Sequence, residues 1–204
     1  MANFASLDPS LNERGIKGAV NASKLDKVIW DEFYNNWNDL AFESELLLAK
    51  FREKPIEELY GIDFQNLPIG TSREQMVKTR VNQSFFRGSI LASYNNTCCI
   101  TGLKQPELLI AGHIKPWSLD EKNRLNPRNG IALNSLHDKA FENGLITVTQ
   151  NYKVSVSSVL LKQSNSEALE KHFFQYNNKD IILPSRFLPD VEFLKYHNDQ
   201  RFIT

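Results

Sequence analysis

The chain has two cysteines, Cys98 and Cys99, and they are neighbours. That one fact removes two ways of holding a fold together. A four-cysteine zinc site is impossible, and a disulfide framework is implausible. The expected arrangement is one buried thiol and one half-exposed. Cohesion must come from ordinary apolar packing, and 204 residues with 41% hydrophobic content can bury a sizeable core.

Apolar spacing supplies the elements. Residues 1–20, with Pro9, Gly15 and Gly18, read as irregular. Leu25, Val28, Ile29, Phe33, Trp37 and Leu40 recur at helical intervals, so one buried stripe is expected from near Lys24 to about Lys54, before Pro55. Trp30 and Trp37 read as core or helix-packing aromatics. Residues 55–72 read as a short helix and linker. A second long helix is expected from Arg73 to Tyr94, followed by a turn at Asn95-Asn96.

Beyond that turn, a strand is expected over Leu108–Ile114, then a polar loop with Pro116, Asp120 and Pro127, then a short apolar run Ile131–Leu133. Ser135–Phe141 reads as a helix stopped by Gly144. Leu145–Val148 and Tyr152–Val156 read as a hairpin about Gln150-Asn151. Ser166–Phe174 reads as helical, and Ile181–Leu183 as a strand before a proline-fixed tail. The expected domains are a helical region 1–72, a core with its preceding helix 73–158, and an extension 159–204 packed on that core.

The net charge is zero, but the charge is unevenly spread. Residues 1–69 carry 7 Lys and Arg against 12 Asp and Glu, whereas residues 70–130 carry 9 against 4. A basic middle segment suggests a polyanionic partner. The first residues lack the pattern of a signal peptide, and no apolar run approaches the roughly 18 residues of a membrane span. A soluble, cytoplasmic protein without membrane partners is the expectation.

Three stretches stand in one order: Gly112-His113-Ile114-Lys115-Pro116-Trp117, then Asn129-Gly130-Ile131-Ala132-Leu133, then His137-Asp138-Lys139-Ala140-Phe141-Glu142-Asn143-Gly144. Together they resemble the HNH endonuclease family, in particular its restriction-endonuclease branch. The resemblance covers about residues 80–148. It implies an α+β fold with a ββα-metal core, an N-terminal helical region and a C-terminal β-hairpin and helix extension. It also implies a nuclease that hydrolyses DNA phosphodiesters with one divalent cation, in restriction or another bacterial defence role.

By that resemblance His113 is the general base that takes a proton from water, a task suited to a neutral imidazole. Asn129 is the orienting residue, acting through its side-chain carbonyl or through the loop it anchors. His137 is the metal ligand, with magnesium expected and manganese or another transition metal able to serve. Lys115, Arg128 and Lys139 flank these positions and are expected to contact DNA phosphates. His172 and His197 read as structural or merely exposed.

The pattern departs from the family at Gly112, where many members carry an aspartate that binds the metal. Asp138 and Asn134 are the replacement candidates. Asp138 projects about 100° from His137 around a helix, whereas Asn134 shares its face. Many family members also brace the core with a four-cysteine zinc site, which this chain cannot build, so no structural zinc is expected. Cutting both strands usually takes two active sites, which makes a homodimer plausible. The acidic, aromatic N-terminal region fits a partner protein. Gly112 favours a rival reading: a DNA-binding module that kept the shape and lost catalysis.

Overall fold

The computed structural model describes residues 2–19, 23–62, 72–163 and 166–204. Mixed helices and small antiparallel strands make it an α+β protein. Two compact units divide the chain, Met1–Phe86 and Arg87–Thr204. Among the described residues no helix is long and apolar enough to cross a membrane.

The first unit is helical. Two short helices, α1 (Ala2–Ala5) and α2 (Pro9–Glu13), occupy the stretch expected to be irregular. Pro9 suits a first helical position, where its missing N–H costs nothing. Gly15, at φ +71, ends the run as only glycine does easily.

The expected single helix over residues 24–54 is two: α3 (Lys24–Phe33) and α4 (Trp37–Phe51). Asn35 takes a left-handed φ of +65 between them, a conformation asparagine tolerates and a helix cannot contain. The break also disposes of the expected buried stripe. Leu25 is 67% exposed and Val28 58%, and α3 buries no residue. Trp30 does pack as a helix aromatic, stacked between Phe4 and Tyr34 at centroid distances of 6.2 and 4.6 Å. Helix α5 (Ile56–Leu59) follows Pro55.

Helix α6 (Arg73–Ser93) matches its expected span and leads into the second unit. There Arg87 fastens it, donating from Nη1 to the Leu109 carbonyl at 2.7 Å and from Nη2 to that of Pro106 at 2.9 Å. Strands β1 (Leu109–His113) and β2 (Gly130–Asn134) pair antiparallel in the register Leu109↔Asn134 to His113↔Gly130. Helix α7 (Ser135–Glu142) follows β2 without a loop, capped by the Asn134 side chain. Strands β3 (Ile146–Val148) and β4 (Val154–Val156) form the expected hairpin.

Both cysteines are fully buried, contrary to the expectation of one half-exposed. The backbone explains it. Cys99 N–H donates to the Ala132 carbonyl at 2.8 Å, and the Cys99 carbonyl accepts from Ile182 N–H at 2.8 Å. The segment is thus walled in on both sides. Burial pushes the Cys99 thiol well up from its ordinary value, so it is an inert core residue.

Residues 181–183 pair in this way but form no regular strand, beyond one isolated bridge between Lys153 and Asp180. After β4 come α8 (Ser158–Leu161) and α9 (Glu167–His172). The expected proline-fixed tail is a helix, α10 (Val191–Gln200). Asp190 caps it, and Leu194 and His197 face inward. The flanking prolines concealed this short amphipathic pattern.

His197 is structural. Its ring stacks on Phe141 at 3.7 Å, its Nε2 donates to the Phe141 carbonyl at 3.1 Å, and its Nδ1 accepts from the Thr147 hydroxyl at 2.7 Å. Thr147 in turn accepts from Asn198 Nδ2 at 3.0 Å. Burial lowers the His197 pKa from 6.5 to about 4, against the opposing pull of the Phe141 carbonyl. The unfolded chain therefore takes up the extra proton between those values. Stability will fall as pH drops from 6.5 towards 4, by roughly 3 kcal/mol from this residue. Urea unfolding at pH 7 and pH 4.5 checks this, and His197→Gln will flatten the acid limb.

Candidate active site

The connection from β1 to β2 spans residues 114–129 and folds back over the end of β1. Asp120 organises its tip. Its carboxylate accepts from Lys115 Nζ at 2.9 Å and from Asn123 Nδ2 at 3.0 Å. Burial raises the Asp120 carboxyl, but the bonds from Lys115 and Asn123 outweigh it and hold its pKa below the ordinary value.

Asn129 ties the loop at its base. It is 1% exposed. Its Oδ1 accepts from Lys115 N–H at 2.8 Å, and its Nδ2 donates to the carbonyls of Lys115 at 3.0 Å and Asn123 at 3.3 Å. Its backbone carbonyl accepts from Ile114 N–H at 3.0 Å. Of the two routes open to Asn129, its contacts are those of a loop anchor.

His113 ends β1 and lies half-buried beneath that loop. Its Nε2 is 2.8 Å from the carbonyl oxygen of Arg124. A carbonyl can only accept, so Nε2 carries the proton and Nδ1 the lone pair. Burial lowers the His113 pKa from 6.5, with the Arg124 carbonyl pulling the other way. The ring is neutral at pH 7. Trp117 meets it edge-on at 5.6 Å. Arg124 is held in turn, with Nε donating to the Trp117 carbonyl at 2.9 Å and its guanidinium over the Trp117 ring. Sequence reasoning passed over Arg124, because a backbone carbonyl leaves no trace in residue type. Trp117 stood within the first motif and was the available signal.

His137 is elsewhere. It is 2% exposed on the first turn of α7. Its Nδ1 lies 2.9 Å from Asn134 Oδ1, and its Nε2 lies 2.7 Å from the carbonyl oxygen of His172. Both oxygens can only accept and the neutral ring has one N–H, so Nε2 donates to the shorter contact, the His172 carbonyl, and Nδ1 faces Asn134 Oδ1 without a hydrogen bond. Phe173 and Tyr176 close around the ring. Burial lowers its pKa. Asn134, the other candidate ligand, spends its amide on capping α7 and on Thr101.

Asp138 is the half-buried carboxylate of this corner. A Cβ placed on Gly112 would meet Asp138 Oδ1 at 2.7 Å. The carboxylate thus fills the space that a side chain at position 112 would take. Among the described residues it makes no hydrogen bond or ion pair. Burial raises its pKa, Glu142 adds to the effect, and Lys139 opposes it. Neighbouring residues of a strand face opposite sides. Asp138 therefore meets β1 from the side opposite to the one towards which His113 projects.

The flanking cations differ. Lys115 is paired with Asp120 and lies 5.4 Å over the Tyr196 ring, so it holds the loop. Lys139 pairs with Glu142 on an exposed surface. Arg128 is half-buried and makes no ion pair among the described residues. Among the described residues no three or more His, Cys, Asp or Glu side chains group together as a metal cluster.

Residues 98–149 match the family model described as HNH endonuclease. The matched segment runs from Cys98 through β1, the loop, β2, α7 and β3. This supports the HNH family, and a domain of that kind suggests nuclease activity on DNA. No curated protein matches the chain.

Proposed function

We propose that the protein is a metal-dependent DNA endonuclease that hydrolyses phosphodiesters. The observation that carries this is His113: a neutral imidazole, its Nε2 proton fixed by the Arg124 carbonyl, at the end of β1 within the matched segment. In this reading Nδ1 takes a proton from the attacking water. Asn129 keeps the loop, and with it the Arg124 carbonyl, in register with the ring. Such positioning of a base supports rate gains of about 100- to 10,000-fold.

In this reading Asp138, rather than the buried His137, would hold the metal. The Asp138 carboxylate is half-buried, without a hydrogen bond among the described residues, and lodged where Gly112 leaves room. A single oxygen ligand suits magnesium, which keeps several of its waters; manganese is the expected substitute. A divalent cation held there would supply charge neutralisation at the phosphate and the leaving oxygen.

Arg128 is the first candidate for a phosphate contact, and Lys139 can exchange an exposed pair with Glu142 for one. Restriction or another bacterial defence role, and a homodimer for cutting both strands, complete the reading. The exposed Leu25, Leu47 and Phe51 of the first unit fit a partner protein. A second reading rests on Gly112: a DNA-binding module without catalysis.

The test is cleavage of methylated and unmethylated DNA by the purified protein across magnesium, manganese and chelator. Metal-dependent cutting is expected. Tight, salt-sensitive binding with no cutting under any metal selects the second reading. Cutting that survives loss of both His113 and Asp138 sinks the assignment.

A further inference from the structure

Two pairs of residues, each with the spacing x-x between its members, converge at the start of α7. Cys98 and Thr101 lie on one tight turn, closed by Gly102 N–H donating to the Cys98 carbonyl at 3.0 Å. Asn134 and His137 lie on another, closed by His137 N–H donating to Asn134 Oδ1 at 2.9 Å. Hydrogen bonds join the two turns. Asn134 N–H donates to Cys98 Sγ at 3.3 Å, and Asn134 Nδ2 donates to Thr101 Oγ1 at 3.3 Å. His137 joins the set through its backbone N–H, while its ring Nδ1 lies 2.9 Å from Asn134 Oδ1 and its one ring proton, on Nε2, goes to the His172 carbonyl.

Two facing x-x pairs on two turns is the layout in which four thiolates or imidazoles enclose a zinc ion. Here only Cys98 and His137 are of ligand type. Threonine and asparagine do not hold zinc, and hydrogen bonds centred on Asn134 join the four positions instead. His137 also extends the set, since its Nε2 reaches the His172 carbonyl at the end of α9.

We propose that Cys98, Thr101, Asn134 and His137 form a metal-free lock that performs the bracing task of a zinc knuckle. The lock ties the turn at Cys98, the end of β2, the first turn of α7 and the end of α9 at one point. His137 is its keystone and a positioning residue. By fixing the first turn of α7 it holds its neighbour Asp138 against Gly112. This last step rests on the metal reading of Asp138; the lock itself does not.

Two variants test it. His137→Ala will lower the melting temperature by roughly 10 °C, as buried hydrogen-bonding groups lose their partners. It will also weaken manganese binding, followed by electron paramagnetic resonance, about 10- to 100-fold. The four-thiol variant, Thr101→Cys with Asn134→Cys and His137→Cys beside native Cys98, will take up one cobalt ion with the absorption bands of tetrahedral thiolate ligation. Loaded with zinc, it will regain the lost melting temperature and manganese affinity, and a chelator of zinc will reverse the thermal gain.

A folded four-thiol variant that gives no tetrahedral cobalt spectrum overturns the convergence of the four positions. Should that variant not fold, His137→Gln, which keeps one of the two ring contacts, must recover at least half of the thermal loss of His137→Ala, or the lock is overturned. Thermal recovery without recovery of manganese affinity overturns the positioning role. If instead Asp138→Ala leaves manganese binding unchanged, the metal reading fails, while cobalt uptake and melting temperature still decide the lock.

Discussion

His113→Ala will reduce metal-dependent DNA cleavage by about two to four orders of magnitude, with the fold and the DNA affinity retained. Initial rates on a labelled duplex, with circular dichroism as control, measure it. The loss follows from the geometry. Nε2 donates to the Arg124 carbonyl, so the ring's lone pair sits on Nδ1. Alanine removes the proton acceptor and leaves the loop anchored by Asn129 through Lys115 and Asn123. The pH dependence has a definite sign. The base acts when neutral, and burial lowers its pKa from 6.5. Cleavage will therefore persist below pH 6.5 and fall only at more acidic values. A limb above pH 6.5 contradicts the role given to His113.

Asp138→Ala will abolish measurable manganese binding in titration calorimetry and lower cleavage to near the metal-free level. Gly112→Ala will give a milder form of the same defect. The added Cβ meets Asp138 Oδ1 at 2.7 Å, too close for the carboxylate to stay where it is. The aspartate side chain can swing away, so the fold survives while the metal site shifts. We expect metal affinity about 10- to 100-fold weaker and a melting temperature close to that of the native chain. Unchanged affinity in both variants places the metal elsewhere.

Local patterns carried much of this into the sequence. The spacing over Arg73–Tyr94 marked α6, the apolar run around Leu108–Ile114 marked β1, and Gln150-Asn151 marked the turn of the second hairpin. What escaped depends on long-range contact. Nothing near Asn35 forces a break, because asparagine is tolerated in helices and only the fold decides whether it turns left-handed. The burial of both cysteines comes from backbone pairing with residues far along the chain.

The site divides in the same way. The places of His113 at the end of β1 and of Asn129 at the base of the loop were readable because their motifs are local. The partner of His113 is a carbonyl, which any residue supplies. Asp138 stands in the sequence as a candidate that points away from His137 around the helix, and the structure keeps that angle. His137 turns inward to Asn134 and His172, so the residue beside it on the helix faces β1.

The end of the second unit has a consequence for how it is made. Ile203 N–H donates to the Gly144 carbonyl at 3.0 Å, and Arg201 Nη2 donates to that of Glu142 at 2.7 Å. A Cβ at Gly144 would overlap the Arg201 carbonyl oxygen, so the two stretches touch backbone to backbone. During synthesis the segment bearing His113 and Asp138 leaves the ribosome some tens of residues ahead of the stretch that closes over it. Contacts of that sequence separation form late. The nascent chain therefore carries the residues of the proposed centre well before the stretch near 203 can pack against Glu142 and Gly144.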